Sequence, residues 1–418
     1  MKRKKLTFEI RSQKNCPACG HHISVPLLFE RHPLANTVRP KTDREAKQLE
    51  RLPLDYVRCV ECGHIYNYSF NYVNVPYSDQ PYPVFNKGSI WSDFISEIHQ
   101  EILAILPEKP VVVEVGHGDG SFLARLRELK PEGRYVGFDV NGAKDGEGLV
   151  EFRNEIFQPD VHLPELQPDL IVSRHVLEHL HNPLGFLQSI ALVATSIGIS
   201  PLTYFEVPCA DRVLETGRTV DFFYEHNSQF TTNSFNKMLS KCSASVERIG
   251  YGYDKEVIYG ISRLGVSNYQ LAYVQKSTEY LLKTANSYVE IKKQLQELYA
   301  SGVTVAVWGG LGRSSTFMNR YDMNADRFPL VIDSDLAKAG TFVPGTGQEI
   351  RFRDWLLENP VDVVIIPSQW RAADIVAEIE REGIAVKKVL IEHDGRLIDY
   401  QQERHPYKKN LASEYVTS

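Results

Sequence analysis

Residues 110–130 read PVVVEVGHGDGSFLARLRELK and decide the fold. The first seven form an apolar run typical of a buried strand, the glycines mark a tight turn, and the last ten space apolar side chains as a helix does. RYVGFDV (134–140), PDLIVSR (168–174) and LTYFEVP (202–208) are further strand-like runs, and helix-like segments follow several of them. This alternation predicts an α/β fold with a doubly wound parallel sheet and helices on both faces.

The same alternation returns later in the chain. VTVAVWG (303–309), FPLVID (328–333), VDVVIIP (361–367) and KKVLIE (387–392) read as strands, and residues 268–298 between the two alternations contain no Gly or Pro. We therefore expect four segments, as a length of 418 residues allows. They are a small N-terminal module over 1–75, a central α/β domain over 76–266, a linker helix over 267–300 and a C-terminal Rossmann-like α/β domain over 301–418.

Composition excludes several classes of protein. Hydrophobic residues make up 43% and the net charge is −6, so no overall basic field favours nucleic acid as a partner. No apolar run reaches 18 residues, and the basic start MKRKKLTFEIRSQKN lacks the apolar core of a signal peptide. We expect a cytoplasmic protein that does not span a membrane.

Four of the six cysteines lie in two C-x2-C pairs, CPACG (16–20) and CVECG (59–63). Two such pairs let four thiolates surround a tetrahedral Zn²⁺, and the following glycines let backbone N–H groups approach the sulfurs. Disulfides or unligated thiols are the alternative, but a reducing compartment favours the metal. The sequence predicts a structural zinc site that allows a short module to fold, with ligands Cys16, Cys19, Cys59 and Cys62.

The turn after the first strand of the central domain has the pattern E-x-G-x-G-x-G over residues 114–120. Such a turn brings a ligand close to the backbone, and Asp139 at the end of the next strand is placed to bind ribose hydroxyls. A dinucleotide fingerprint is one interpretation. Glu114, however, suits a cationic amino-acid ligand better than a pyrophosphate. In this respect the loop resembles the S-adenosylmethionine site of class I methyltransferases.

A second segment, SRHVLEHLHNP (173–183), follows another strand and so lies at the carboxyl edge of the sheet, where ligands bind. His175 would flank the sulfonium. The H-x2-E-H spacing of His175, Glu178 and His179 is also that of an inverted zincin, but a metalloprotease does not explain the glycine loop. The predicted cofactor-binding residues are Glu114, Gly116, His117, Gly118, Gly120, Asp139, Ser173 and His175.

A third segment, DFFYEH (221–226), follows the α/β core in a stretch that we expect to be loop. Contiguous Tyr224, Glu225 and His226 offer a phenol, an orienting carboxylate and a general base. Cys209 follows Pro208 as the nucleophile does in cytosine-C5 methyltransferases, but no basic groove accompanies it, so a small buried thiol is the better interpretation.

The order of these motifs resembles the sugar C-methyltransferase family, which acts on nucleotide-linked keto-deoxysugars. The resemblance rests on the cysteine pairs, EVGHGDG, RHVLEHLHNP, FEVPC, FFYEH and VWGGLGRSSTFMN with VIDSDLAKAGTFVPGTGQEI, and spans nearly the whole chain. It implies a zinc module, an S-adenosylmethionine domain and a C-terminal Rossmann-like domain. It also implies that Tyr224, Glu225 and His226 are catalytic, with His226 as the base, and that Tyr82 is a catalytic tyrosine.

The C-terminal domain has its own glycine-rich turn, GGLGRSS (309–315), and Asp333 ends the next strand. Small residues at a helix N-terminus suit an anion, and Arg313 adds charge. The resemblance implies that Gly310, Gly312, Arg313 and Ser314 help to hold the nucleotide diphosphate of the substrate. A second nicotinamide cofactor and a purely structural lobe are the alternatives.

These predictions combine into one hypothesis about mechanism. His226 removes a proton from the carbon next to a ketone, Glu225 orients His226, and Tyr224 or Tyr82 hydrogen-bonds the enolate oxygen, so that the carbanion takes the methyl group. An O- or N-methyltransferase of another small molecule, and a non-catalytic nucleotide-sugar-binding protein, are the competing hypotheses. An RNA methyltransferase would need a basic face.

Overall fold

The computed structural model describes residues 9–75, 88–142 and 150–408. The chain forms two compact units, Met1–Leu271 and Ala272–Ser418. Within the described ranges, every helix is too short or too polar to cross a lipid bilayer.

The first unit contains two sheets. Its strands are β1 (Ser24–His32), β2 (Leu52–Cys59), β3 (Ile65–Asn67), β4 (Val111–Val115), β5 (Arg134–Phe138), β6 (Glu151–Arg153), β7 (Leu170–Arg174), β8 (Leu202–Pro208), β9 (Ser228–Gln229), β10 (Ser243–Gly252) and β11 (Val257–Leu264). Its helices are α1 (Asp43–Gln48), α2 (Ser89–Ile105), α3 (Ser121–Leu129), α4 (Pro159–Leu166), α5 (Pro183–Ser196), α6 (Ala210–Thr216) and α7 (Thr232–Ser240), with a 3-10 turn at Tyr72–Asn74.

The larger sheet has seven strands in the order β10-β11-β8-β7-β4-β5-β6. Strands β6, β5, β4, β7 and β8 pair in parallel, and β11 and β10 add an antiparallel edge. The chain moves to one side of β4 with β5 and β6 and then to the other side with β7 and β8. The crevice at this reversal, outside the carboxyl ends of β4 and β7, is where open α/β sheets bind ligands.

The smaller sheet has the order β1-β2-β3-β9 and is antiparallel. Strand β9 comes from the chain after β8, so a segment that precedes α7 completes the sheet of the N-terminal module. The four paired cysteines also belong to the same apolar cluster as Val113 and Ile171 of the larger sheet. The N-terminal module and the central α/β segment therefore share a core.

The second unit is built on a six-stranded sheet in the order β14-β13-β12-β15-β16-β17. The long helix α8 (Asn268–Ala300) precedes it and contributes Ile291 and Leu295 to its core. The strands are β12 (Val305–Trp308), β13 (Leu330–Asp333), β14 (Ile350–Phe352), β15 (Val361–Ile366), β16 (Val386–His393) and β17 (Arg396–Asp399). The helices are α9 (Arg313–Arg320), α10 (Trp355–Glu358) and α11 (Ala372–Arg381), with 3-10 turns at Leu336–Lys338, Gln369–Arg371 and Pro406–Lys408.

All neighbouring strands of this sheet are parallel except β16 and β17. The order again reverses beside the first strand, β12, which lies between β13 and β15. The predicted α/β class, with a doubly wound sheet and a second Rossmann-like sheet, is confirmed.

Candidate active site and cysteine centre

The four paired cysteines converge on one buried point. The Sγ atoms of Cys16, Cys19, Cys59 and Cys62 all lie within 4.8 Å of one another. Two of the separations, Cys16 to Cys62 and Cys19 to Cys59, are 3.6 Å. A tetrahedral Zn²⁺ with bonds of about 2.3 Å sets its sulfurs about 3.8 Å apart. The thiols are not joined as disulfides, so the geometry fits the ion and not the disulfide alternative.

Both cysteine pairs adopt the same turn because each is followed by a glycine with a positive φ, 77° at Gly20 and 78° at Gly63. Each glycine N–H donates to the carbonyl of the first cysteine of its pair, at 2.8 and 3.0 Å. The Asn233 side chain of α7 donates to the Cys62 carbonyl at 2.8 Å, and Lys241 donates to the Cys19 carbonyl. These two hydrogen bonds connect the cysteine centre to α7 and to the residue that follows it, which belong to the central α/β segment.

The glycine loop 116–120 connects β4 to α3, and its three glycines have φ values of 79°, 57° and 75°. A Cβ on Gly116 would approach Val176 Cγ2 to 2.2 Å, and one on Gly120 would approach Phe152 Cζ to 2.4 Å. The loop therefore packs directly against the segment after β7. Gly118 donates its N–H to Asp139 Oδ2 at 3.0 Å, which joins the loop to the end of β5.

Glu114 is a buried carboxyl group inside β4, with 2% of its surface exposed. Burial raises the pKa of Glu114 to about 8, and Arg174 opposes that rise. Its Oε2 has no hydrogen-bond partner among the described residues. Leaving a buried acceptor unsatisfied costs about 1–3 kcal/mol. A cationic group bound at the end of β4 would supply the missing donor.

Two other predicted cofactor residues have internal contacts. The Ser173 hydroxyl donates to the Val115 carbonyl at 3.1 Å, so it links β7 to β4. The ring of His117 packs on Phe152 with the centroids 4.5 Å apart. Both ring nitrogens of His117 are buried without a hydrogen-bond partner in the part of the chain that the structure describes.

A network of buried charges follows the ends of β7 and β8. Glu206 is fully buried and lies 3.1 Å from both Arg174 Nη2 and His175 Nε2, and Tyr204 donates to it at 2.6 Å. Burial opposes ionisation of Glu206, but Arg174 and His175 lower its pKa to about 2. Sequence analysis did not identify Arg174 or Glu206, although an ionisable residue inside each apolar strand is a detectable signal.

His175 lies between two carboxylates. Its Nε2 faces Glu206, and its Nδ1 lies 3.4 Å from Glu178 Oε1. Its φ of 53° turns the chain sharply at the end of β7. Although burial opposes protonation, Glu178 and Glu206 raise the pKa of His175 to about 9. His175 therefore connects the network to Glu178.

His226 lies beside Glu178 and His179. One ligand atom of each residue lies within 4.8 Å of the others. The His226 ring is 4.8 Å from the His179 ring and 4.1 Å from the Phe223 ring, measured between centroids. Burial lowers the pKa of His226 well below its usual value, and His179 and His175 act in the same direction. We call Glu178, His179 and His226 the histidine cluster.

The Glu225 carboxylate makes several hydrogen bonds to the N-terminal module. Its carboxylate accepts N–H groups of Ala35 at 3.2 Å, Asn36 at 2.7 Å and Thr37 at 3.1 Å, and the Thr37 hydroxyl at 3.1 Å. These bonds hold the Glu225 carboxylate against the loop 35–37 of the N-terminal module. The orientation of His226 by Glu225 stays a prediction.

Tyr224 is fully buried in the core of the smaller sheet. Its hydroxyl accepts the Asn71 N–H and the Asn74 side-chain N–H, both at 2.9 Å. This hydroxyl fixes the 3-10 turn of the N-terminal module. Tyr82, the other tyrosine for which a catalytic role is predicted, lies outside the described residues.

The glycine turn of the second unit lies between β12 and α9, at the carboxyl edge of its sheet. The Gly310 N–H donates to Asp333 Oδ2 at 3.3 Å, and the Ser314 hydroxyl donates to the Trp308 carbonyl at 3.3 Å. Gly312 has a φ of 63°. The Arg313 guanidinium lies over the Trp370 ring, 4.1 Å from its centroid, and 45% of Trp370 is exposed. No motif in the sequence pointed to Trp370 as a neighbour of this turn.

The remaining cysteines are buried thiols. Cys209 and Cys242 are 3% and 2% exposed, and burial raises the pKa of Cys242 to about 12 and that of Cys209 in the same direction. A thiol whose pKa is raised is a weak nucleophile at neutral pH. This environment agrees with the prediction of ordinary buried thiols.

Two stretches of the chain match family models of known proteins. Residues 90–242 match a family described as "Methyltransferase domain", and residues 267–391 match one described as "C-methyltransferase C-terminal domain". A comparison with curated proteins found no match.

Several solved structures resemble part of the chain. A SAM-dependent methyltransferase from Archaeoglobus fulgidus is 14% identical over 41% of this chain and 93% of its own, with a TM-score of 0.32. The plantazolicin methyltransferase BpumL, solved with SAH, is 13% identical over 42% and 84%, with a TM-score of 0.32. Magnesium protoporphyrin IX methyltransferase from Synechocystis PCC 6803, with bound SAH, is 12% identical over 44% and 90%, with a TM-score of 0.31.

Proposed function

We propose that this chain, a methyltransferase with a C-methyltransferase C-terminal domain, methylates a carbon atom of a nucleotide-linked keto-deoxysugar. S-adenosylmethionine would supply the methyl group, and His226 would remove the proton from the carbon that accepts it. The observation that carries the proposal is the contact between the glycine loop and the segment after β7. Gly116 packs against Val176, two residues before Glu178 of the histidine cluster. A cofactor in that loop would therefore lie close to His226.

The residues at the end of β4 fit S-adenosylmethionine. The unpartnered Oε2 of Glu114 would accept its ammonium group, the positive-φ glycines would let its methionine portion approach the backbone, and Asp139 would bind its ribose hydroxyls. When bound, S-adenosylmethionine supplies an electrophilic methyl group and needs only a nucleophile in line with it.

His226 would act as the general base. As a neutral imidazole it accepts the α-proton at a ring nitrogen, and the electron pair of the broken C–H bond becomes the enolate. His179 contacts His226 edge-on and is itself held by the Glu225 carbonyl, which lies 2.8 Å from His179 Nδ1. Tyr82 would donate to the enolate oxygen, as the family resemblance implies.

Glu225 and Tyr224 would act as positioning residues. Both hold parts of the N-terminal module, the loop 35–37 and the turn Tyr72–Asn74, against the segment that carries His226. Tyr56 reinforces this arrangement because its hydroxyl lies 2.7 Å from the His226 carbonyl. The position of the base thus depends on a module that the cysteine centre would stabilise.

The second unit would hold the nucleotide. The turn over residues 309–315 has backbone N–H groups near the start of α9, and Arg313 adds a positive charge for a diphosphate. Exposed Trp370 offers a flat surface for a base. Gly310, which packs against Ile350 and donates to Asp333, and Ser314, which donates to the Trp308 carbonyl, keep the turn compact. Gly312 contributes its positive φ.

The Glu114→Gln variant is expected to bind S-adenosylmethionine about 10- to 100-fold more weakly, because a hydrogen bond to a charged group contributes about 1.5–3 kcal/mol. Isothermal titration with S-adenosylhomocysteine and S-adenosylmethionine measures the loss. Glu128→Gln on the exposed face of α3 is the matched control. Equal affinity in the Glu114→Gln and wild-type proteins would exclude Glu114 as the ammonium ligand.

The proposal is tested by screening nucleotide-linked keto-sugars for the gain of one methyl group by mass spectrometry. A companion reaction in deuterated water, without methyl donor, should exchange the α-hydrogen of an accepted sugar for deuterium. Methylation without any exchange would favour O- or N-methylation. Binding of sugar and cofactor with no release of S-adenosylhomocysteine would favour a non-catalytic binding protein.

A further inference from the structure

We propose that the histidine cluster, Glu178, His179 and His226, is a divalent transition-metal site separate from the cysteine centre, and that an ion bound there inhibits methyl transfer. Only the inhibition rests on the proposed function, because it requires His226 to be the base. The metal site itself rests on the side chains that the fold brings together.

The donor set is one carboxylate and two imidazoles. A ligand atom of each residue lies within 4.8 Å of the others, and Glu178 is 1% exposed. Two imidazoles and one carboxylate are a common set for Zn²⁺ and Co²⁺, and three protein ligands leave a fourth position for water. Bonds of about 2.0–2.1 Å set the ligands of a tetrahedral ion about 3.4 Å apart. The cluster would contract slightly around the ion.

The Glu178 carboxylate is the independent sign of a ligand. Both of its oxygens are buried without a hydrogen bond to any described residue, and His175 Nδ1 approaches one of them only to 3.4 Å. Glu178 thus has one long ion pair, from Oε1 to His175, and its Oε2 has neither an ion pair nor a hydrogen bond to a described residue. A buried carboxylate oxygen without such a partner is costly, and an ion among the three residues would satisfy it.

The surroundings of the histidine cluster hold His179 in a tautomer that can bind a metal, and they fix the backbone of His179 and Glu178. His179 Nδ1 lies 2.8 Å from the Glu225 carbonyl and donates to it, so a neutral His179 carries its lone pair on Nε2. Metal-binding histidines usually donate their other N–H to a carbonyl or carboxylate in this way. The backbone is also fixed, because Asn227 donates to the His179 carbonyl and the Ser228 N–H to the Glu178 carbonyl, at 2.8 and 3.1 Å.

A bound ion and the substrate proton would require the same part of His226. The ring nitrogen that coordinates the ion has no lone pair left to remove a proton, and an ion with a water ligand would occupy the space in front of the ring. The ion is therefore expected to act as an inhibitor of the reaction and not as its cofactor.

The metal test uses the full-length protein with zinc already in the cysteine centre. Titration with Co²⁺, monitored by calorimetry and visible absorption, should show one further equivalent, with the d–d bands of a four-coordinate ion and no thiolate-to-cobalt charge transfer. Loss of an outer-shell partner typically weakens metal binding by about 10- to 100-fold, so loss of the direct ligand in His179→Asn should exceed about 100-fold. Glu178→Gln, which preserves volume, should do the same.

His181→Asn is the matched control because His181 is an exposed histidine two residues from His179. It should bind the further Co²⁺ ion as the wild type does. A wild-type protein that binds no Co²⁺ beyond the cysteine centre would overturn the site. So would a further ion that binds His179→Asn, Glu178→Gln and the wild type equally.

Inhibition is measured separately, with an accepted sugar and increasing Zn²⁺. Methyl transfer by the wild type and by His181→Asn should fall as the histidine cluster fills, and a chelator should restore it. Full activity with the site filled would overturn the inhibitory role while the metal site stands. Failure of every sugar to react would count against the proposed function. The Co²⁺ titration would still show whether the histidine cluster binds a metal ion.

Discussion

His226→Ala is expected to lower the rate of methyl transfer by about 100- to 10,000-fold, the usual contribution of a general base. The imidazole is the only part of His226 that changes, and its backbone carbonyl can still accept from Tyr56. Affinity for S-adenosylmethionine should be unchanged, because the predicted cofactor residues lie on β4, in the glycine loop, just after β5 and at the end of β7, and none of them is His226. The α-hydrogen exchange in deuterated water should disappear with the activity.

Single-turnover assays measure the rate of methyl transfer, and titration with S-adenosylhomocysteine measures cofactor binding, so an effect on catalysis is separated from an effect on binding. His181→Ala is the control, since it removes an exposed histidine from the segment after β7 and should retain full rate. A His226→Ala protein that methylates and exchanges at the wild-type rate would eliminate His226 as the base. A variant that loses cofactor affinity as well would indicate a structural role.

Cys59→Ser is expected to release the zinc ion and to unfold the N-terminal module. Structural zinc contributes on the order of 10–16 kcal/mol to the folding of small metal-dependent modules, more than the whole stability of many domains. The damage should reach the active site, because Asn233 and Lys241 donate to carbonyls of Cys62 and Cys19. Strand β9, which follows His226, also pairs with β3 of this module.

Zinc content by mass spectrometry and thermal unfolding by circular dichroism measure this effect. Cys242→Ser is the control, because Cys242 is equally buried but its thiol lies in α7's own surroundings and donates to the Met238 and Leu239 carbonyls. It should retain one zinc ion. A Cys59→Ser protein with full zinc content and an unchanged unfolding temperature would contradict the cysteine centre. Chelation of the wild-type protein should reproduce the effect of the substitution.

The buried charges at the carboxyl edge of the larger sheet connect the ends of β7 and β8 to the histidine cluster. Arg174 and His175 both contact Glu206, and His175 also faces Glu178. Breaking a buried, hydrogen-bonded ion pair by removing one partner typically costs about 3–5 kcal/mol. The network therefore fixes the end of β7 against β8. Glu178, which faces His175, lies beside His226.

The sequence by itself determined the features that depend on neighbouring residues. VVVEV followed by three glycines specifies a strand and a tight turn, because apolar periodicity and positive φ are local properties. The spacing within each C-x2-C pair likewise predicts the turn around a metal. The unusual Glu114 inside an apolar run predicts a cationic ligand at the end of β4.

Only the tertiary structure decided which distant side chains meet. Adjacency suggested that Glu225 orients His226, but its carboxylate bonds to residues 35–37, about 190 positions away in the chain. Glu178, dismissed with the zincin pattern, lies beside His226, and β9 joins the sheet of the N-terminal module. A side chain's direction in a turn follows from the packing of whole elements against one another, and no local pattern of residues encodes that packing.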